Sequence, residues 1–393
     1  MKFFVVIPDG ASERFDKNTA LNLANTPVLD SIAPKSFMGL ARTIPYGLPP
    51  GSDVGTLSIF GFDPALYAKG RSPLEIAAKK IIPPEDSLVF RMNLVSVKDG
   101  VMNDHSAGHI KDAEAQAIIE KMKKELSDFL KRYNMEIYFG KSYRNYIVWR
   151  IGDKKREDII LNTEFIPPHD ILGQKIENYL DIYKKVTPEL FDLMQNSKSI
   201  LDGTSANMLW FWGQGKRAYL PSFEKIYGKK GWLVSAVDII KGIAVLSGIE
   251  VLEVPGITGY LDSNFEGKVD YIVNSVRENE VGFIHIEATD ETGHQGDREK
   301  KKLAVEIVDS RVIGNLLRRV DGEDFKLLVM PDHPTPCELR THVGDPVPFM
   351  IYPCLFCKGK GCSFCGRKRF TEIEAISSPV FFDAKLIMKF FLS

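Results

Sequence analysis

Short apolar runs that leave no polar face constrain this chain most. Phe3–Ile7, Gly231–Val237, Ile249–Val254, Val281–Ile286, Phe325–Met330 and Val347–Tyr352 are each five to seven residues long. A strand apolar at consecutive positions cannot have one face in water, so these runs predict a sheet covered on both sides. Helical patterns separate them, at Asp238–Leu246 and from Glu299 to about Val320. Strand–helix alternation predicts an α/β domain of three layers around a mostly parallel sheet. With 44% hydrophobic residues in 393, the chain can fill such a core.

From about 85 to 222 the pattern changes. Ser87–Val97 reads as a strand, Lys98-Asp99-Gly100 as a hairpin turn, and Asp112 as the cap of a long charged helix reaching about Tyr133. Strands near Glu136–Phe139 and Tyr146–Arg150 follow. The expected organisation is therefore a domain made of 1–84 and 223–393, with a smaller α+β domain, 85–222, inserted. A short apolar helix, Phe382–Leu392, is expected to dock on the sheet.

Lys and Arg number 51 against 52 Asp and Glu. A net charge of −1 provides no basic footprint for nucleic acid or an anionic membrane. No run of apolar residues is long enough to span a bilayer. The apolar stretch at Phe3–Ile7 is too short for a signal peptide. A cytoplasmic enzyme is expected, with self-association left open.

The chemistry concentrates in four segments, each placed where a strand ends, the edge at which α/β sheets bind ligands. Asp9 follows the first strand in Pro8-Asp9-Gly10. Ser52 follows Leu48-Pro49-Pro50-Gly51, where a helix begins. It could be an ordinary cap or a nucleophile, because helix-end amides hold phosphate oxygens. Asp290-x-x-x-His294 follows Val281–Ile286, and Asp332-His333 follows Phe325–Met330, with His342 nine residues on. Oxygen and imidazole donors suit divalent ions from manganese to zinc. Two sets emerge: Asp9, Ser52, Asp332 and His333, and separately Asp290, His294 and His342. Two ions about 3.5–4 Å apart can clamp a phosphate during in-line displacement, and Ser52 would then be the attacking hydroxyl.

With PDG at 8–10, LPPGSDVG at 48–55, GRSPLE at 70–75, DGTSANMLWFWGQGK at 202–216, SAVDIIKGI at 235–243, DETGH at 290–294 and PDHPTP at 331–336, the chain resembles the archaeal-type 2,3-bisphosphoglycerate-independent phosphoglycerate mutases of the alkaline phosphatase superfamily. The resemblance spans nearly the whole length. It implies an alkaline-phosphatase-like domain with an inserted lid, and two divalent ions, typically manganese, with cobalt or zinc also used. It implies that 3-phosphoglycerate binds between the domains, gives its phosphoryl group to Ser52, and takes it back on the 2-hydroxyl while water is excluded. A phosphatase or another phosphomutase of the same superfamily is the alternative. For carboxylate and phosphate binding the lid offers Arg91, Asn93, Ser106, His109, Arg144, His169 and Asp170. His105 or Asp104 would handle the hydroxyl proton, and Lys241 would offset charge on the transferring group.

One feature departs from that family. Cys354, Cys357, Cys362 and Cys365 form C-x2-C-x4-C-x2-C within 353–367. Two C-x2-C pairs favour a tetrahedral structural zinc, with iron–sulfur ligation or a redox pair as alternatives. Cys337 reads as a packing residue.

Overall fold

The computed structural model describes residues 1–68, 70–354 and 365–393. The chain divides into two compact units, Met1–Ala68 with Tyr219–Ser393, and Lys69–Ala218. The division falls earlier than the expected 84/85 boundary. Helix Arg71–Ala77 packs on strands Ser87–Lys98 and Met208–Lys216 and so belongs to the second unit.

The first unit is built on an eight-stranded sheet. Its order is Phe381–Asp383, Phe37–Arg42, Val347–Tyr352, Phe325–Val329, Lys2–Pro8, Val281–Ile286, Gly231–Val234, Glu250–Val251. Among the described residues, only Val347–Tyr352 runs against the others. The alternation of a buried strand sends neighbouring side chains to opposite layers. Phe4 and Val6 join a core with helices Phe265–Ser275 and Arg298–Ile307. On the other face Phe3 meets Phe391 of the C-terminal helix, and Phe283 meets Phe60 and Phe223. Helices thus cover both faces, as the unbroken apolar runs require.

The register fixes where chemistry can occur. The first strand lies between Val281–Ile286 and Phe325–Val329, parallel to both, with Pro8 opposite Ile286 and Val6 opposite Val329. All three strands therefore release their chains at one edge, and Asp9, Asp290 and Asp332 follow those ends.

Several elements differ from the periodicity reading. Gly231–Val237 ends at Val234, and Ile249–Val254 shrinks to Glu250–Val251. The long helix after Asp297 passes through a π turn at Val308–Ile313, whose Asp309 accepts from the amides of Val28 and Leu29. The C-terminal helix starts at Ala384, because Phe381–Asp383 forms an edge strand beside Phe37–Arg42. No helix of the described residues is long and apolar enough to cross a membrane.

The second unit carries a five-stranded antiparallel sheet centred on Ser87–Lys98. Asp99 and Gly100 both have positive φ, 52° and 74°, which a two-residue hairpin needs. Asp112 does not cap its helix. Its carboxylate accepts from the Ser142 amide, the preceding Lys111 is the cap residue, and the helix breaks at Leu126.

Behind the edge of the first unit lies a buried carboxylate. Glu372 accepts from the Glu13 amide at 2.9 Å and from the Thr19 hydroxyl at 2.8 Å. Burial pushes its carboxyl up from 4.5 to about 7, and nearby Glu13 adds to the rise. A raised acid binds its proton more tightly folded than unfolded. Its contribution is therefore fully present below 4.5 and is lost as pH rises through 7. Glu372→Gln removes that dependence. Between pH 4.5 and 8 the stability of the variant relative to wild type should rise by on the order of 3 kcal/mol in urea titrations. A gap that stays constant with pH contradicts the assignment.

Candidate metal centre

Asp9 is 3% exposed and its amide donates to Ile286 O. Gly10 turns the chain with φ of 58°, and its amide donates to Asp332 Oδ1 at 3.0 Å. A Cβ at Gly10 would lie 2.3 Å from Asp290 Oδ1, so three chain ends close so tightly that only glycine fits.

Ser52 opens helix Ser52–Ile59, and Gly51, not Ser52, is the cap residue. Its hydroxyl instead lies 3.4 Å from Asp9 Oδ1 and 3.2 Å from His333 Nε2. The helix reaches this depth because Gly55 has no side chain. A Cβ there would meet Asp332 O at 2.3 Å.

Asp332 and His333 are fully buried. Asp332 Oδ1 accepts from the Gly10 and His333 amides. Asp332 Oδ2 is buried with no hydrogen-bond partner among the described residues. Burial, and then the charge of Asp9, pushes this carboxyl up to about 7. Thr335 gives its one proton to Asp290 Oδ1, so it can only accept from His333 Nδ1 at 3.2 Å. His333 Nε2 is thereby turned toward Asp9 and Ser52.

Asp290 stands on the short helix Ala288–His294. His294 Nε2 lies 3.2 Å from Asp290 Oδ2, His342 Nε2 3.5 Å from Asp290 Oδ1, and the two imidazole nitrogens 2.8 Å from each other. His294 Nδ1 donates to Arg340 O at 2.9 Å, which again turns Nε2 inward. The side chain of His294 is 36% exposed where His333 is 0%, so this set opens to solvent and the other does not.

The donor set fits divalent ions. The ligand atoms of Asp9, Asp332 and His333 lie within 4.8 Å of one another, and so do those of Asp290, His333 and His342. Three carboxylates converge, one with an orphaned buried oxygen, which water or a neutral core would not hold. Imidazolium protons offset these carboxylates. Against the cost of burial, Asp332 and Asp9 raise His333 to about 9, and the hydrogen bond to Asp290 raises His294 to about 9. Metal binding displaces such protons. All seven sequence-derived ligands fall in the first unit and share this neighbourhood.

A further layer escaped the sequence reading. His285, 0% exposed, places Nε2 3.3 Å from Asp9 Oδ2 and Nδ1 3.2 Å from Glu287 Oε1. The Glu287 carboxylate also holds the buried Lys268 ammonium and the Ala236 amide. Thr289 donates to Asp9 O, and Lys301 donates to Gly10 O and Thr335 O. A histidine inside the otherwise apolar strand VGFIHI was the available signal.

The remaining candidates are placed differently. The ammonium of Lys241 pairs with Glu253 at 3.0 Å. Asp104 accepts from the Ser106 amide and hydroxyl and the Gly108 amide. Against burial, these bonds hold it below the usual carboxylate range, which suits a turn and not a base. Ser106 is buried in that turn, and exposed His109 closes it with φ of 54°. His105 Nδ1 is buried without a hydrogen bond among the described residues, its ring edge-on to Tyr143 and His169. His169 in turn meets Trp212, whose Nε1 donates to Asn93. Asp170 and Arg144 are exposed.

Arg91 is not a free fork. Nε and Nη2 grip Glu75, whose side chain is 5% exposed, and the guanidinium stacks 4.4 Å over Trp212. Arg91→Ala should cost about 3–5 kcal/mol by leaving Glu75 buried and unpaired, measured by denaturant titration. A loss under about 1 kcal/mol, the level of an exposed pair, would show that the pair holds nothing together.

Cys357 and Cys362 lie outside the described residues, as does most of the 353–367 segment. Of the flanking positions, the Cys354 amide donates to Lys35 O and the Gly366 amide to Pro34 O, so both ends return to one turn. Cys337 is buried and packs, as expected.

The chain is similar to known proteins along nearly its full length. A model of the metalloenzyme superfamily matches residues 1–377. The 2,3-bisphosphoglycerate-independent phosphoglycerate mutase of Methanosarcina acetivorans is 42% identical over 371 residues, 90% of each chain. Its namesake from Methanothrix thermoacetophila is 41% identical over 392 residues, 95% of each chain. The solved structure of PH0037 protein from Pyrococcus horikoshii superposes with a TM-score of 0.78 at 26% identity, covering 100% of this chain and 96% of that one. With these relatives along nearly its full length, the chain belongs to the 2,3-bisphosphoglycerate-independent phosphoglycerate mutase family.

Proposed function

We propose that this chain interconverts 3-phosphoglycerate and 2-phosphoglycerate through a phosphoserine at Ser52, with two divalent ions, manganese first and cobalt or zinc as substitutes. The observation that carries the reading is the direction of the Ser52 hydroxyl, which leaves its helix uncapped to face Asp9 and His333. Asp9, Asp332, His333 and Ser52 would hold one ion, and Asp290, His294 and His342 the other. Bound there, divalent ions supply neutralising charge to the transferring phosphoryl group and ease deprotonation of the hydroxyl.

In the first half-reaction the Ser52 oxygen bonds to phosphorus as the bond to the substrate's 3-oxygen breaks, and glycerate keeps the proton Ser52 loses. The second half reverses these events at the 2-oxygen. The phosphoserine must be kept from water throughout. In the second unit His105, with an unused buried nitrogen, is a better group for the glycerate hydroxyl proton than Asp104, whose oxygens are occupied. Arg144, His169 and Asp170 are the exposed groups proposed to meet the substrate's charges, and a structural zinc is proposed on Cys354, Cys357, Cys362 and Cys365.

Phosphorus NMR of 3-phosphoglycerate with purified protein and manganese tests this. A mutase yields 2-phosphoglycerate without matching release of inorganic phosphate. Phosphate release alone would support the alternative, a phosphatase of the same superfamily.

A further inference from the structure

The Asp9 carboxylate has two oxygens with different company. Oδ1 faces Ser52 and His333. Among the described residues Oδ2 pairs with His285, whose Nε2 lies 3.3 Å away, outside hydrogen-bond geometry but at ion-pair distance, and has no other partner. His285 sits on the Val281–Ile286 strand beside the first strand, with Ile7 directly opposite it, so its ring reaches the carboxylate two residues further along. Its other nitrogen is fixed from behind by Glu287 Oε1 at 3.2 Å and by Ser235 Oγ at 3.2 Å. Glu287 is fixed in turn by the Ala236 amide and by the ammonium of Lys268, which also donates to His285 O at 2.8 Å. His285, Glu287 and Lys268 are each under 5% exposed.

A chain of alternating charge this deep is a costly way to stabilise a fold. Apolar residues of equal volume would serve as well or better. An apolar replacement could not, however, hold one oxygen of a carboxylate while the other is presented elsewhere. We infer that His285, locked by Glu287 and Lys268, is a positioning residue that anchors Asp9 Oδ2 and so aims Oδ1 at the ion shared with Ser52, Asp332 and His333. The inference rests on the two-ion reading above and adds a support that the ligand set does not contain. Outer partners of this kind typically change metal affinity by about 10–100-fold.

The test uses the full chain, stripped by dialysis and titrated with Mn²⁺ alone in a calorimeter. His285→Leu fills the space without a donor, and His285→Gln keeps one. Wild type should bind two ions. In His285→Leu one site should weaken by about 10–100-fold while the other keeps its affinity, with His285→Gln in between. With 3-phosphoglycerate, saturating Mn²⁺ should restore kcat in His285→Leu, and KM should stay at the wild-type value. Glu287→Gln, which preserves shape, should weaken the same site in the same direction and decides the matter if the His285 variants do not fold. Unchanged Mn²⁺ affinity in His285→Leu, or in Glu287→Gln should that be the folded variant, overturns the inference and leaves a core ion pair only. If wild type itself binds a single ion, the two-ion reading falls. A weakened remaining site in His285→Leu would still support the anchor.

Discussion

Replacing Ser52 by alanine should lower kcat by about 10⁴-fold or more, the scale seen when a nucleophile is deleted from a preorganised site, while Mn²⁺ uptake at Asp290, His294 and His342 continues. The reasoning is geometric. Ser52 Oγ is the one hydroxyl within 3.4 Å of both Asp9 and His333 among the described residues, and it does no capping work that alanine would forfeit. Stability should therefore change little, and a melt beside the kinetic assay separates the two effects. A variant that kept a tenth of its activity would move the nucleophile elsewhere.

The second large effect comes from Asp332→Asn, and it should split stability from activity. In the metal-free chain Asp332 Oδ2 is buried, makes no hydrogen bond among the described residues, lies 3.5 Å from His333 Nε2, and sits in the field of Asp9, whose charge adds to burial in pushing the carboxyl up to about 7. Asparagine keeps the acceptor used by the Gly10 and His333 amides and removes a buried charge that makes no hydrogen bond through its second oxygen. At pH 8 the metal-free variant should be more stable than wild type by about 1–3 kcal/mol, the usual cost of an unsatisfied buried group. The same change removes an anionic ligand, so kcat with Mn²⁺ should fall by about 10³-fold. The stability gain should vanish once Mn²⁺ saturates the protein, because the wild type then gains binding energy at both sets of ligands and the variant chiefly at the Asp290 set. Loss of activity with no gain in metal-free stability would mean that the orphaned oxygen is not waiting for a cation.

The three candidate carboxylates were legible because each stands just beyond a strand, and a parallel sheet brings strand ends to one edge whatever the intervening sequence. Asp9, Asp290 and Asp332 needed only that rule. Ser52 needed the structure, since a serine before a helix reads first as a cap, and only the structure shows the cap at Gly51 and the hydroxyl beside Asp9 and His333. His285 lay in plain view in VGFIHI, yet its role depends on the lateral register that sets it beside the first strand. Arg91 looked like a ligand for phosphate. Nothing local shows that Glu75, on a helix before the strand, already holds its fork. The strand Phe37–Arg42 gave no periodic signal. It is short, carries Gly39 where Val380 O approaches within 2.5 Å of a Cβ position, and is specified by its neighbours in the sheet. Second-unit residues were hardest, because polar turns look alike whether they bind a ligand or, like Asp104, organise themselves.

The most direct measurement is mass spectrometry of the chain quenched during turnover with 3-phosphoglycerate and Mn²⁺. A single added phosphoryl group should map to the peptide containing Ser52, at the hydroxyl itself, and should be absent from Ser52→Ala. Turnover with no covalent phosphate, or with phosphate on another residue, would contradict an attack launched from the edge where Asp9, Asp290 and Asp332 meet.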